Sequence, residues 1–165
     1  LTRRPTAAAG FRDECLLMAD LQHPNLVQFL GGSWDIDSGE MCLVLELCSG
    51  GSLADLLEGP VEPLGWVEQR HPIVLGIARG MVYLHSQSPP IVHRDIKPAN
   101  VLLDEHGIAK VCDFGLSHIK RETAVITSRM GSPQWTAPEI LRGEPHDESA
   151  DIRAVAPSAA ALRVE

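Results

Sequence analysis

No apolar run in the 165-residue sequence approaches the roughly 20 residues needed to span a bilayer, and no charged-then-apolar leader pattern occurs. Neither a membrane segment nor a secretory leader is therefore expected within it. The chain opens on leucine rather than methionine, so a true start further upstream is expected. Positive charge is in short supply: 14 Lys and Arg stand against 22 Asp and Glu, for a net charge of −8. That balance argues against nucleic acid or an anionic membrane surface as the primary partner. The four cysteines, Cys15, Cys42, Cys48 and Cys112, lack the paired spacing of metal ligands. Reduced, mostly buried thiols in a cytoplasmic setting are expected instead. What is present is globular in character, because 44% hydrophobic and 22% charged residues are too apolar for a disordered tail. The length suits one domain with a real core.

The informative stretch is residues 91–115, IVHRDIKPANVLLDEHGIAKVCDFG. Two apolar runs, residues 101–103 and 108–112, flank the link Asp104-Glu105-His106-Gly107 and so predict a β-hairpin. In a hairpin the residue entering the first strand and the one leaving the second share the open end. These are Asn100 and Asp113. Asp95, five residues before Asn100 in a polar loop, can fold back to the same place with Lys97 beside it. Converging carboxylates repel unless a cation lies between them. Asp and Asn oxygens are hard ligands, and a site with few of them suits Mg²⁺ bound together with substrate phosphates. Taken singly, Asp, Asn and Gly are also ordinary turn-formers.

As an ordered set these residues resemble the eukaryotic protein kinase family. His93-Arg94-Asp95 with Asn100 resembles the catalytic loop, Asp113-Phe114-Gly115 the metal-binding motif, and Ala137-Pro138-Glu139 the end of the activation segment. Trp135 beside that last motif is similar to the tyrosine-kinase-like serine/threonine group. The resemblance covers residues 11–152 and implies an α+β fold. That fold would be a partial kinase domain, with an incomplete small β lobe and hinge (11–48) and a mainly helical large lobe cut short (49–152). Residues 1–10 and 153–165 would be tails outside it.

Along the chain, Phe11, Cys15, Met18 and Leu21 recur at helical spacing over residues 11–22, while residues 1–10 show no apolar period. Residues 26–31 and 40–47 read as strands. The resemblance makes Glu14 the helix glutamate that pairs with a strand lysine holding ATP phosphates. It also makes residues 45–48 the hinge, with Leu45 as gatekeeper. Residues 1–10 contain no lysine, and no Gly-rich phosphate loop precedes the helix. Ser52 is an N-cap for a short helix, or a ribose contact. A long helix over residues 66–87 should start late or kink at Pro72. Gly76 and Gly80 would permit close packing, and His85 reads as a packed helix-end residue.

The resemblance implies a serine/threonine protein kinase that uses ATP and Mg²⁺. Asp95 would be the base, Lys97 would neutralise the γ-phosphoryl group, and Asn100 and Asp113 would hold the metal. Glu46 C=O, Cys48 N–H and Leu102 would frame the adenine. Met18, Phe29, His93 and Phe114 would form the stack linking the lobes. Partners would be a protein Ser/Thr substrate and an upstream kinase acting on Thr123, Thr127 or Ser128, with Arg94 pairing the added phosphate. Ser132 would bond Asp95 and Lys97, and Asp151 would steady the catalytic loop from below. Glu139 is expected to lack its downstream arginine. Past Ile152 the sequence RAVAPSAAALRVE leaves the pattern, as a frameshift or mis-joined exon would produce. Apolar surface left uncovered there would lower solubility. The alternative function is an inactive kinase-like fragment or pseudokinase that acts only by binding.

Overall fold

The computed structural model describes residues 7–35, 38–58, 70–113, 135–144 and 147–161. Phe114, Gly115, Thr123, Thr127, Ser128, Ser132, residues 1–6, 59–69 and 162–165 therefore lie outside the described residues.

Helix α1 (Ala7–Asp20) buries Phe11, Cys15 and Met18, and Leu21 continues the same stripe just beyond it. The helix begins at Ala7, four residues ahead of the expected start. Ala7-Ala8-Ala9 has the strongest helix propensity of any residue type, so it needs no apolar period to propagate the helix. The stripe packs on an antiparallel pair, β1 (Phe29–Trp34) and β2 (Met41–Leu45). There the Phe11 and Trp34 rings meet edge to face at 6.3 Å. Gly32 lets the layers close: a β-carbon on it would sit 2.8 Å from Cys15 Sγ.

The first strand departs from the expected residues 26–31. Leu26 instead bridges Val111 in parallel, Val27 N–H donates to Val111 O at 2.9 Å, and Val111 N–H donates to Asn25 O at 2.9 Å. Residues 25–27 thus belong to the lower layer, and only from Phe29 does the chain pair with β2.

Helix α2 (Leu53–Glu58) starts in a capping box. Ser52 Oγ accepts the Asp55 N–H at 3.1 Å, while Asp55 Oδ2 accepts both the Ser52 N–H and its hydroxyl. Those bonds hold the Asp55 carboxyl below its ordinary range. Helix α3 (His71–His85) carries Pro72 in its first turn, where the missing N–H costs nothing. Its buried stripe of Ile73, Gly76, Ile77, Gly80, Met81 and Leu84 lies against the hairpin.

That hairpin is β3 (Val101–Leu103) and β4 (Ala109–Val111), in register Val101↔Val111, Leu102↔Lys110 and Leu103↔Ala109. Asp104 Oδ1 accepts the N–H groups of His106 and Ile108, and Gly107 turns the chain at φ +75. Val101, Leu103, Ala109 and Val111 are all buried and join one core with Leu26, Leu53, Ile77 and Leu84.

Helix α4 (Pro138–Leu141) and helix α5 (Ser149–Ala161) close the lower side, with Ala150, Asp151 and Ala154 buried and α5 packed against α3. Helix α5 continues through Pro157. Arg153, the residue directly after Ile152, puts its Nε 4.0 Å from Glu139 Oε1 with its own side chain largely exposed, a contact from close by in the chain and not the far-downstream arginine that the resemblance calls for. Leu141, Ile152 and Val82 are exposed. Of the four free thiols only Cys15 is buried, and Cys42 is exposed at the surface of β2, which corrects the expectation of mostly buried cysteines. The architecture is α+β.

Candidate active site

The hairpin delivers Asn100 and Asp113 to its open end, as its register requires. A 3₁₀ turn at Pro98–Asn100 leads into β3, and Cys112 N–H donates to Asn100 O at 3.0 Å across that end. Asp95 folds back onto it. Asn100 Nδ2 donates to Asp95 O at 2.7 Å and to Asp95 Oδ2 at 3.1 Å. Lys97 Nζ donates to Asp95 Oδ2 at 2.7 Å, with both side chains partly open to solvent. Because the amide nitrogen of Asn100 is committed to Asp95, its oxygen is the end left to act as an acceptor or ligand. Asp113 follows at φ +64, a left-handed conformation costly for a non-glycine residue.

The loop is held from beneath. His93 is fully buried. Its Nδ1 accepts the Asp95 N–H at 3.3 Å, so Nε2 carries the ring hydrogen and donates to Cys112 O at 2.9 Å. Burial pushes the His93 pKa down, against the pull of the Asp151, Asp113 and Asp95 charges, which fits a neutral ring. Asp151 is fully buried on α5 and takes three donors: His93 N–H at 2.8 Å, Arg94 N–H at 2.6 Å and His85 Nε2 at 2.9 Å. Arg94 stands at φ +70 between them. His85 is thus the packed helix-end residue expected, with a partner that the sequence alone did not reveal.

The hinge side is tied to the same hairpin. Gly50 N–H donates to Leu103 O at 2.9 Å, and Leu103 N–H donates to Gly51 O at 2.8 Å. Ser52 and Leu102 form an antiparallel bridge. Glu46 accepts the Gln28 N–H at 2.6 Å through Oε1, while its own N–H donates to Gln28 O at 2.9 Å. Lys110 Nζ lies 3.0 Å from Glu46 Oε2 and 3.1 Å from Oε1. Sequence reasoning missed Lys110; the one signal was a charge inside the otherwise apolar strand β4. Burial and Glu46 raise the Cys48 pKa, and burial and Asp113 push Cys112 up to about 12, so both thiols stay protonated at neutral pH.

The structure therefore brings together Asp95, Lys97 and Asn100, sets Asp113 beside them, and gathers Glu46, Cys48, Ser52 and Leu102 along the other side of the hairpin. Glu14 lies on α1, but its side chain is outside the described residues. In the lobe-linking stack Met18 and His93 are buried and Phe29 partly so. Among the described residues no cluster of three or more His, Cys, Asp or Glu could hold a metal by itself, and no helix is long and apolar enough to cross a membrane. A cavity of about 680 Å³ lies at the turn end of the hairpin beside Leu56, Gly76 and Ile108, and its lining includes none of the candidate site residues.

A family model described as "Protein kinase domain" matches residues 2–162. The chain is 43% identical over 143 residues to a putative serine/threonine-protein kinase/receptor, R826, of Acanthamoeba polyphaga mimivirus, covering 87% of this chain and 8% of that protein. It is 43% identical over 145 residues to the serine/threonine-protein kinase CTR1 of Arabidopsis thaliana, covering 86% and 17%. It is 42% identical over 144 residues to the probable serine/threonine-protein kinase drkC of Dictyostelium discoideum, covering 84% and 19%. The chain thus spans less than a fifth of the length of each of these three relatives.

Proposed function

Because this chain belongs to the protein kinase family, we propose that it carries the catalytic loop of a serine/threonine protein kinase acting on ATP and a protein hydroxyl. The observation that carries this reading is the contact of Asp95 with both Lys97 and Asn100 at the hairpin end that also presents Asp113. The transfer needs little covalent chemistry from the protein, so positioning and charge neutralisation supply most of the rate.

Asp95 orients the substrate Ser or Thr hydroxyl and takes its proton as the hydroxyl oxygen bonds to the γ-phosphorus. The bond from that phosphorus to the bridging oxygen breaks, and ADP leaves with the electron pair. Lys97 offsets charge on the transferring group. Two hard oxygen donors, from Asn100 and Asp113, suit Mg²⁺, too few to cage it without phosphate oxygens. When bound, the ion neutralises phosphate charge. Glu46 C=O and Cys48 N–H offer the adenine an acceptor and a donor above Leu102. Ser52 Oγ, with its hydrogen and one lone pair committed to Asp55, keeps one lone pair for a ribose hydroxyl. Glu14 is assigned to the phosphate-holding lysine by resemblance alone. We place the lobe boundary at the end of the hinge, between residues 48 and 49, and the protein in the cytoplasm, with an upstream kinase acting on Thr123, Thr127 or Ser128.

The test is Mg²⁺–ATP binding and phosphotransfer to a generic Ser/Thr protein substrate by this chain beside its Asp113→Asn variant. Transfer by the parent, lost at least a hundredfold in the variant, supports the reading. Nucleotide binding without transfer supports the binding-only alternative, and absence of both overturns the proposal.

A further inference from the structure

We propose that Lys110 is a positioning residue for purine recognition: by fixing Glu46 it sets the height of the hinge backbone above Leu102. The inference rests on the nucleotide-binding reading of the hinge and extends it to a residue on the opposite side of the slot.

Lys110 and Leu102 are directly opposed across the hairpin, so both side chains leave the same face. That face is turned toward the hinge, where Lys110 reaches the Glu46 carboxylate and Leu102 bridges Ser52. The Lys110 side chain is only 12% exposed and Glu46 only 25%, so their 3.0 Å ion pair is shielded in a way that surface pairs are not. Glu46 is in turn locked to Gln28 from both its N–H and its carboxylate. A second fastening, Gly50 and Gly51 to Leu103, holds the far end of the hinge. Between the two fastenings lie Leu47, Cys48 and Ser49, the span that presents backbone groups to a purine edge. Leu47 is 88% exposed. The height of that span is therefore set at one end by the glycine bonds and at the other by Gln28 and Lys110 together. Without the ammonium, Glu46 would keep its two bonds to Gln28 and lose its direct tie to the hairpin, so the hinge end would sit less closely over Leu102.

Adenine and guanine present opposite hydrogen-bond patterns at the edge that meets such a span. Discrimination between them thus reads the geometry of the hinge in a way that overall stability does not. The experiment measures ADP and GDP binding by calorimetry without divalent metal, on the parent chain, Lys110→Met and Lys110→Arg. Loss of one aligned hydrogen bond predicts roughly tenfold weaker ADP binding in Lys110→Met, with a matching fall in the ADP-over-GDP preference. Lys110→Arg should recover most of both. Should Lys110→Met fail to fold by circular dichroism, Glu46→Gln reads the same contact, since its amide keeps the Gln28 bond and gives up only the ion pair. Unchanged ADP affinity and preference in the folded variant would overturn the inference and leave the nucleotide reading intact. A parent chain that binds neither nucleotide would overturn both.

Discussion

Replacing Asp151 with asparagine changes one buried atom, and its cost can be worked from three distances. Oδ2 accepts the His93 N–H at 2.8 Å and His85 Nε2 at 2.9 Å, while Oδ1 accepts the Arg94 N–H at 2.6 Å. Asparagine offers one oxygen and one NH₂. If the oxygen stays with Arg94, the NH₂ faces His93 N–H, donor against donor. His85 can adapt by changing tautomer, but a backbone N–H cannot. The change thus forfeits a hydrogen bond to a charged group, about 1.5–3 kcal/mol, and strands a buried N–H, about 1–3 kcal/mol. The sum is roughly 2.5–6 kcal/mol, which brackets the about 3–5 kcal/mol typical of breaking a buried charged network. For a chain of this size that lowers the melting temperature by about 10 °C. Thermal and urea denaturation of Asp151→Asn beside Ile152→Ser makes the comparison internal, because Ile152 is the next residue but 64% exposed and should move stability by no more than about 0.5 kcal/mol. An Asp151→Asn protein melting within about 2 °C of the parent would refute the claim that this carboxylate holds the His93–Arg94 backbone.

Gly80→Ala should destabilise by about 1–2 kcal/mol in urea titration. Its β-carbon would lie 2.7 Å from Asn25 O, a backbone atom already bonded to Val111, and overpacking there outweighs the roughly 1 kcal/mol of helix propensity gained. Gly31→Ala, with nothing within 4 Å, is the control, and a Gly80→Ala protein as stable as the parent would count against the close α3 contact. His93 gives stability a pH dependence of defined sign. Its unfolded form takes up a proton near pH 6.5, while burial keeps the folded ring neutral to lower pH. Unfolding therefore binds a proton, and stability falls as pH drops below 6.5 by up to about 1.4 kcal/mol per pH unit. His23, lowered by burial and by Arg79, adds in the same sense. Urea midpoints at pH 5.5, 6.5 and 7.5 should show a shallower slope in His93→Gln than in the parent; equal slopes would count against the assignment.

The parts of the fold visible in the sequence are those fixed by neighbours in the chain. Residues 101–111 formed the expected hairpin because apolar β-formers and an Asp-to-Gly link specify strand, turn and register locally, and that register alone brings Asn100 and Asp113 together. The α1 stripe and the place of Pro72 in the first turn of α3 were legible for the same reason. The departures are long-range or compositional. Leu26 and Val27 look like the start of a strand, yet they pair with Val111 some 85 residues on. Lys110 meets Glu46 across 64 positions. Arg153 approaches Glu139 from just past the last recognisable motif. Alanine propensity alone carried α1 back to Ala7. At the site, the triad of Asp95, Lys97 and Asn100 was readable from spacing, whereas what grips the hinge was not.

The chain crosses between its upper sheet and its lower layer twice, at residues 25–28 and 46–51, and both crossings are stitched to the same two three-residue strands. Since that ribbon leads out to Asn100 and Asp113, the fastenings of both crossings and the two side chains that would face a nucleotide's metal share one support.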